Sequence, residues 1–191
     1  GNVAENSGGV HCLKYGLTVH NVRKLKIISP QGELYEVGSE AFDSAGFDLL
    51  ALLHGSEGML GIVVEVTVKL LPTPQAICVV MAGFGAVSDA ASTVGAIIAA
   101  GILPAGLEMM DQPATRAAEA FVNAGYPTDA HALLLCELDG IEAEIENQLK
   151  VVQEILQHYK ATSIAIAHDP DDRARLWAGR KAAFPAVGRL A

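Results

Sequence analysis

The sequence predicts an α+β protein made of two successive units. Three features lead to this prediction: a β-hairpin pattern near the beginning, a closely spaced pair of prolines at Pro72 and Pro74, and alternating strand and helix patterns after them. Two prolines this close cannot continue a central strand, so a unit boundary is expected there. The chain has 191 residues, 51% of them apolar, which is enough to supply a core for each unit.

The first unit, residues 1–74, is expected to contain a small sheet. Its recognisable patterns are strands at Val22–Ile28, Glu33–Val37 and Ile62–Leu71 and a short helix at Asp48–His54. The first two strands flank Ser29-Pro30-Gln31-Gly32, which suits a type I turn and therefore a hairpin. The third strand has the clearest alternation of apolar and polar residues in the chain. Residues 1–16 have no helical or strand period and are rich in Gly and Asn, so they are predicted to form a loop.

The second unit, residues 75–191, alternates strands and helices. The strand patterns are Ile77–Met81, Gly106–Met110, Ala132–Leu138 and Ser163–Ala167, and the helix patterns are Val87–Ala100, Pro113–Ala124, Ile141–Tyr159 and Asp171–Phe184. When the helix at Pro113–Ala124 is set aside, the order is β-α-β-β-α-β, which is the ferredoxin-like order with one inserted helix. We expect the helices Val87–Ala100 and Ile141–Tyr159 to lie on one face of a single sheet.

Charge and composition exclude several classes of function. The formal net charge of −9 argues against nucleic acids and anionic membrane surfaces as partners, because both are bound by clustered Lys and Arg. No apolar run is long enough to span a bilayer. Cys12, Cys78 and Cys136 form neither a CxxC motif nor a disulfide framework, so a reducing, cytoplasmic setting is expected. The six histidines show no HxH or HExxH spacing, and no metal site is predicted.

Two glycine-rich segments are candidates for ligand binding. In Gly1–Gly9 and Gly55–Gly61, glycines would let the backbone approach a ligand closely, and successive N–H groups can point at it. The second segment, GSEGMLG, fits neither the Rossmann nor the P-loop fingerprint. Each segment has an alternative interpretation: an ordinary surface loop for the first, and a turn in which Glu57 caps the backbone for the second.

The last helix contains acidic and basic residues at helical spacing. Asp169 and Arg173, and likewise Asp171 and Arg175, are four residues apart and are predicted to form local ion pairs on a solvated face. Such pairs need no function.

Arg180 and Lys181 have no acidic residue at helical spacing, and Trp177 and Phe184 lie nearby. Such cations suit a carboxylate ligand, because a guanidinium group can bind one with two hydrogen bonds. A tertiary salt bridge or a solvated pair of cations is the alternative.

Several long motifs in order resemble one family over nearly the whole chain. They are GNVAENSGGVHCLKYG, FDLLALLHGSEGMLGIVVEVTVKLLP, GLEMMD, LLCELDG and WAGRKAAFPAVGR. Together they are similar to the FAD-linked oxidases of the vanillyl-alcohol oxidase fold, and the later motifs resemble the branch of the glycolate oxidase D subunit. The wider group includes D-lactate and D-2-hydroxyglutarate dehydrogenases.

The resemblance implies roles for both units and for individual residues. Residues 1–74 would be the C-terminal part of the FAD-binding domain, and residues 75–191 the N-terminal part of the cap, or substrate, domain. Arg180 would hold the substrate carboxylate, with Lys181 beside it. The residues implied in FAD binding are Asn2, Ala4, Asn6, Gly8, Gly9, Glu57, Gly58, Gly61 and Ile62.

The resemblance also implies a reaction and its partners. A small 2-hydroxyacid such as glycolate would transfer its carbinol hydride to the flavin and become a 2-oxoacid, with FAD supplying the redox chemistry. An iron–sulfur subunit of the glycolate oxidase complex would accept the electrons, since this chain has no cluster-binding cysteines. The protein would be cytoplasmic, and membrane association would come through such partner subunits.

The chain also lacks parts of the family's pattern. It opens without an initiator Met, and the family's pyrophosphate half-site and its later catalytic histidines would lie outside it. An internal segment of a longer enzyme is therefore expected, and the isolated chain is expected to be colourless and inactive. D-lactate or another 2-hydroxyacid as substrate, and a non-catalytic ferredoxin-like binding or assembly module, are the alternatives.

Overall fold

A computed structural model describes residues 1–41 and 46–189. The chain divides into two compact units, Gly1–Thr73 and Pro74–Ala191. The division falls inside the Pro72-Thr73-Pro74 sequence, where two residues lack a backbone N–H for a sheet. Both units combine helices with antiparallel sheets, so the fold class is α+β.

The first unit is a three-stranded antiparallel sheet with short helical turns. The strands are β1 (Val22–Ile28), β2 (Leu34–Gly38) and β3 (Ile62–Val68), and the helices are α1 (Asn2–Glu5), α2 (Cys12–Tyr15), α3 (Thr18–Asn21) and α4 (Leu49–Leu53). The strand order is β2-β1-β3. The loop predicted for residues 1–16 was wrong where α1 and α2 form, because four-residue helices are too short to leave a period in the sequence.

The core of the first unit lies on one face of β1. Leu25 and Ile27 are buried there against Leu53 of α4. On the opposite face, Lys26 bridges Glu65 at 3.0 Å and Glu36 at 3.5 Å, so this face carries alternating charge.

The alternation in β3 identified a strand but not its burial. Ile62, Val64, Val66 and Val68 remain 39 to 65% exposed, because β3 is an edge strand and a register irregularity interrupts its pairing with β1. The strand also ends at Val68, three residues before the predicted end.

The second unit is a four-stranded antiparallel sheet with four helices. The strands are β4 (Ala76–Phe84), β5 (Gly106–Asp111), β6 (Ala132–Gly140) and β7 (Ala161–Ala167), and the helices are α5 (Val87–Ala99), α6 (Gln112–Val122), α7 (Glu142–His158) and α8 (Pro170–Val187). The strand order is β5-β6-β4-β7. Two β-α-β segments therefore interleave: β6 lies between β4 and β5, and β4 lies between β6 and β7.

Helices cover both faces of this sheet. Alternate residues of β4 and β6 pack on one face against α5 and α7, which places these helices as predicted. The intervening residues pack against α6 and α8 on the other face. Burial on both faces explains why β4 and β6 read as continuous apolar runs.

Two local predictions in the second unit needed correction. Strand β4 runs on through Gly83 to Phe84, where a side chain at Gly83 would place Cβ 2.6 Å from the Ser163 hydroxyl oxygen. Helix α6 ends before Asn123, which takes a left-handed conformation (φ 51°), rather than at Gly125. Asn tolerates this conformation better than most residues.

Among the helices within residues 1–41 and 46–189, none is long and apolar enough to cross a membrane.

Candidate functional site

The two glycine-rich segments of the first unit are held together by backbone hydrogen bonds. The Gly55 N–H donates to the Val3 carbonyl oxygen at 3.0 Å, and the Glu57 N–H donates to the Ala4 carbonyl oxygen at 2.9 Å. Helix α1 and the GSEGMLG segment are therefore neighbours, although 49 residues of chain lie between them.

A cleft of about 610 Å³ lies between these segments. This volume is in the range of small-molecule sites. Six of the nine residues implied in FAD binding line the cleft: Asn2, Ala4, Glu57, Gly58, Gly61 and Ile62. Their contact with a flavin stays a prediction, but the fold brings them to one surface.

The backbone of the GSEGMLG segment has an unusual conformation. Glu57 has φ 53° and Gly58 has φ 78°, and positive φ is uncommon for a residue with a side chain such as Glu57. At Gly61, with φ 157°, an added Cβ would lie 2.9 Å from the Ile28 carbonyl oxygen. At Gly58 no atom lies within 4 Å of an added Cβ, so the backbone there is open to a ligand. Strained backbone of this kind clusters at ligand sites.

Asn6, Gly8 and Gly9 shape the turn beside the cleft and do not line it. Asn6 ends α1 in the left-handed conformation, and its Oδ1 accepts a hydrogen bond from the Val19 N–H at 3.0 Å. At Gly8 a Cβ would approach the Leu17 side chain at 3.0 Å. Their assignment to flavin binding remains a prediction.

His54 directly precedes the glycine segment and does not line the cleft. Its side chain is buried, and Nδ1 lies 2.6 Å from the Leu50 carbonyl oxygen. Since a carbonyl oxygen can only accept, Nδ1 carries the proton and Nε2 presents a lone pair in the neutral ring. Nε2 is buried and has no hydrogen-bond partner among the described residues.

These features fit a flavin nucleotide. The glycine positions in the cleft wall carry this fit, since open backbone at Gly58 allows a ligand to approach closely.

A second cleft of about 380 Å³ in the first unit is lined in part by Arg23, Asp48 and Lys69. None of the predicted site residues is among the described residues that line it.

In the second unit, Arg180 of α8 is paired with a residue distant in sequence. Its Nε and Nη2 atoms lie 2.9 and 2.8 Å from the same oxygen, Oε2 of Glu108 on β5. Arg180 therefore forms the tertiary salt bridge that was one alternative from the sequence, with a partner 72 positions away that no helical spacing reveals. The pair does not exclude a substrate role, which stays a prediction.

Helix α8 is attached to three successive strands by polar side chains at 173, 177 and 180. Arg173 donates to the Ile77 carbonyl oxygen on β4 at 2.8 Å, the Trp177 indole N–H donates to the Glu137 carboxylate on β6, and Arg180 binds Glu108 on β5. The spacing of four and three residues keeps these side chains on one helix face. The helix that carries Arg180 is thus held against the sheet.

The local ion pairs predicted for α8 were wrong. Asp169 is the N-cap, and its side chain accepts from the Asp171 N–H at 2.8 Å, a role that Asp favours. Arg175 pairs with Asp172 at 2.8 Å and not with Asp171.

The glycine of the WAGRK motif allows α8 to pack closely. A Cβ at Gly179 would lie 2.5 Å from the Tyr126 ring. The Tyr126 hydroxyl donates to the Leu176 carbonyl oxygen, and burial raises the pKa of Tyr126 to about 12. Lys181, the next residue after Arg180, points outward and is exposed.

The buried cysteines are not suited to nucleophilic chemistry. Burial raises the pKa of Cys78 to about 11, despite the opposing effect of nearby Arg173, and that of Cys136 to about 12. Both thiols are free and face the helices α5 and α7. They are core residues, since the thiolate is the reactive form.

The comparisons with known proteins agree with the motifs. A family model described as FAD linked oxidases, C-terminal domain, matches residues 73–191. Glycolate oxidase subunit GlcD of Escherichia coli strain K12 is 58% identical over 190 residues, which cover 100% of this chain and 38% of that protein. Glycolate oxidase subunit GlcD of Bacillus subtilis is 40% identical, covering 100% of this chain and 41% of that protein.

More distant relatives have other names. A D-lactate dehydrogenase of Anaerostipes hadrus is 32% identical, over 98% of this chain and 41% of that protein. The chain thus spans about two fifths of the length of the curated relatives it matches. A solved structure of alkyldihydroxyacetonephosphate synthase has a TM-score of 0.71 at 19% identity, covering 97% of this chain and 37% of that one, and shows a shared fold.

The resemblance inferred from the motifs is therefore confirmed: the chain is similar to glycolate oxidase subunit GlcD along its whole length, and it belongs to the family of FAD linked oxidases, C-terminal domain.

Proposed function

We propose that this chain is part of a flavin-dependent 2-hydroxyacid dehydrogenase that oxidises glycolate to glyoxylate. The observation that carries the proposal is the 58% identity to a glycolate oxidase subunit along the full chain. The identity to a D-lactate dehydrogenase is much lower, at 32%.

The two units have different roles in this proposal. Residues 1–74 would be the C-terminal part of a vanillyl-alcohol-oxidase-type FAD-binding domain, and residues 75–191 the N-terminal part of a ferredoxin-like cap domain with one inserted helix. The start of the family match at residue 73 and the interleaved β-α-β segments of the second sheet support this division.

In the first unit, the backbone of the GSEGMLG segment and α1 hold the cofactor. Gly58 leaves space for close approach, and the hydrogen bonds from Gly55 and Glu57 to α1 keep the two walls of the cleft together. FAD, when bound, accepts the hydride from the substrate. The protein contributes position and a fixed polar environment.

In the second unit, Arg180 binds the carboxylate of the 2-hydroxyacid, and Lys181 adds positive charge beside it. A guanidinium group suits this task because it offers parallel N–H donors to two carboxylate oxygens. The attachment of α8 to three strands keeps Arg180 in place.

Electrons would leave the reduced flavin through an iron–sulfur subunit of a glycolate oxidase complex. A cytoplasmic location, with membrane association through such partner subunits, belongs to the same proposal. The similarity to glycolate oxidase subunits is what supports it.

The test is steady-state dye reduction by the flavin-loaded protein that contains these residues, with glycolate and D-lactate compared. The substrates differ by one methyl group, and discrimination of that size reaches roughly 10- to 200-fold. We expect kcat/KM for glycolate to exceed that for D-lactate by at least about tenfold.

The opposite preference would reassign the substrate to D-lactate and keep the enzyme class. A protein that binds no flavin and reduces no dye with either acid would contradict the proposal and favour the non-catalytic binding module.

A further inference from the structure

The contact between Arg180 and Glu108 uses only one edge of the guanidinium group. The Nε and Nη2 atoms share a single oxygen of Glu108, at 2.9 and 2.8 Å. Arginine carries five N–H donors in a planar fork, so this side-on contact leaves the edge between Nη1 and Nη2 unused. That edge has the two parallel donors that a carboxylate needs for a bidentate contact.

The exposure of the two side chains shows which end of the pair faces solvent. The Arg180 side chain is 40% exposed and that of Glu108 only 24%. Glu108 lies on β5, where it is in register with Leu135 of the neighbouring strand. The carboxylate is thus the inner, fixed member, and the guanidinium is the outer one.

The surroundings prevent α8 from adjusting freely. Trp177, one turn before Arg180, is bound to Glu137, and the Tyr126 ring packs against Gly179. With the helix held at these points, the direction of the Arg180 guanidinium depends on its own side-chain rotamer. Glu108 is the group that selects that rotamer.

We propose that Glu108 is a positioning residue for substrate: it holds Arg180 side-on so that the opposite guanidinium edge meets the carboxylate of the 2-hydroxyacid. This inference rests on the proposed role of Arg180. Glu108 acts through Arg180 and does not itself touch the substrate. Because Glu108 also neutralises the cation, the site recognises a carboxylate by the direction of its donors more than by net charge.

Two substitutions separate orientation from charge. Glu108→Ala removes the acceptor and frees the guanidinium, so the KM for glycolate is expected to rise roughly tenfold, the size of one charge-assisted hydrogen bond. Glu108→Gln keeps an oxygen that can accept both bonds but removes the negative charge near the substrate carboxylate. Its KM is expected to stay at or below that of the unchanged protein.

The experiment uses the flavin-loaded protein that contains these residues. Besides KM and kcat for glycolate, the dissociation constant of oxalate is measured by titration of the flavin absorbance. Oxalate has carboxylates but no carbinol hydride to transfer, so its binding reports on the site without turnover. We expect the oxalate dissociation constant to rise in Glu108→Ala and not in Glu108→Gln.

Arg180→Ala and the double variant Arg180→Ala/Glu108→Ala complete a double-mutant cycle. If Glu108 acts through Arg180, the double variant has the same KM for glycolate and the same dissociation constant of oxalate as Arg180→Ala alone. Asp172→Ala is the matched control, because it removes the carboxylate of the exposed pair with Arg175 on the same helix, and it is expected to leave both constants unchanged.

The outcomes distinguish this inference from the proposed function. If Arg180→Ala changes neither the KM for glycolate nor the dissociation constant of oxalate, Arg180 is not part of the substrate site. The proposed substrate role of Arg180 and the positioning role of Glu108 would then both be wrong. A strong effect of Arg180→Ala with none of Glu108→Ala would overturn the positioning role alone. A lower melting temperature of Glu108→Ala with unchanged oxalate binding would also overturn it, since that is the signature of a purely structural pair. If Glu108→Ala does not fold, Glu108→Asp is measured instead. Its side chain is one methylene shorter and withdraws the carboxylate from Arg180, so the KM for glycolate and the dissociation constant of oxalate are expected to rise.

Discussion

The two units of this chain build their candidate sites in different ways. In the first unit the cleft is formed by backbone, with positive φ at Glu57 and Gly58 and amide contacts to α1. In the second unit the helix that carries the candidate substrate residue is held by hydrogen bonds from its own side chains to three strands. A backbone-built site leaves a glycine-rich motif in the sequence, whereas a side-chain-built site leaves residues scattered along it.

The two sheets also contain apolar strands that differ in burial. The apolar residues of β3 are 39 to 65% exposed, while residues 78–82 of β4 are no more than 8% exposed. Both strands are rich in apolar residues, but β3 is an edge strand and β4 is central. Apolar content therefore indicates a strand in both cases, and burial only in β4.

The largest expected effect is on the free energy of unfolding of the 191-residue chain, when one valine is replaced by alanine in each of the two sheets. Val80→Ala, in the core of the second unit, should lower the free energy of unfolding by roughly 1.5–3 kcal/mol, because a fully buried side chain is truncated. Val64→Ala, on exposed β3, should cost less than about 0.5 kcal/mol. Urea unfolding, followed by a probe in each unit, measures both. Equal losses would mean that the difference in burial has no energetic consequence.

A smaller effect is expected on cofactor binding from a matched pair of glycines. Gly58 and Gly32 have φ of 78° and 83°, and neither has an atom within 4 Å of an added Cβ, but only Gly58 lines the cleft. Alanine at either position should cost a similar 1–2 kcal/mol or so of stability, because both impose the same left-handed strain. Only Gly58→Ala should weaken FAD binding, by roughly tenfold if one backbone contact is lost.

Flavin retention after gel filtration and a titration with FAD would measure the difference in the flavin-loaded protein. Equal FAD affinity in the two variants would argue that the cofactor does not approach the GSEGMLG backbone.

The smallest effect concerns the alkaline stability of the second unit. Burial raises the pKa of Cys78 to about 11 and that of Cys136 to about 12, so the folded protein keeps protons that the unfolded chain releases near its ordinary thiol pKa. Stability should therefore fall as pH rises, by about 1 kcal/mol per thiol between pH 9 and 10. Cys78→Ala/Cys136→Ala should show a shallower slope in urea unfolding at these pH values. If the double variant and the unchanged protein show the same slope, the two thiols have the same pKa in the folded and the unfolded state.

Much of the fold could be predicted from local patterns. Strand β1 has the predicted bounds, and helix α7 (Glu142–His158) differs by one residue at each end from the predicted Ile141–Tyr159. These elements repeat an apolar period over two or more turns or alternations, so the local signal is strong. The four-residue helices α1 and α2 were missed because they have no room for such a period.

The residues of the candidate sites also differ in whether a local sequence pattern reveals them. The cleft residues Glu57, Gly58 and Gly61 stand within five positions, and a motif of that density can be recognised from its glycines. Glu108 could not be identified in this way. Its pairing with Arg180 depends on where α8 crosses the sheet.

The sequence by itself determined the family, the α+β class, the order of the longer strands and helices, and the position of the glycine-rich cleft walls, because each is encoded in contiguous residues. Only the tertiary structure decided that Asp169 caps its helix, that β3 stays exposed, and that Arg180 binds Glu108 across 72 positions. The physical reason is that hydrogen bonds and burial depend on distance in space, and strand order β5-β6-β4-β7 brings together residues that no spacing along the chain relates.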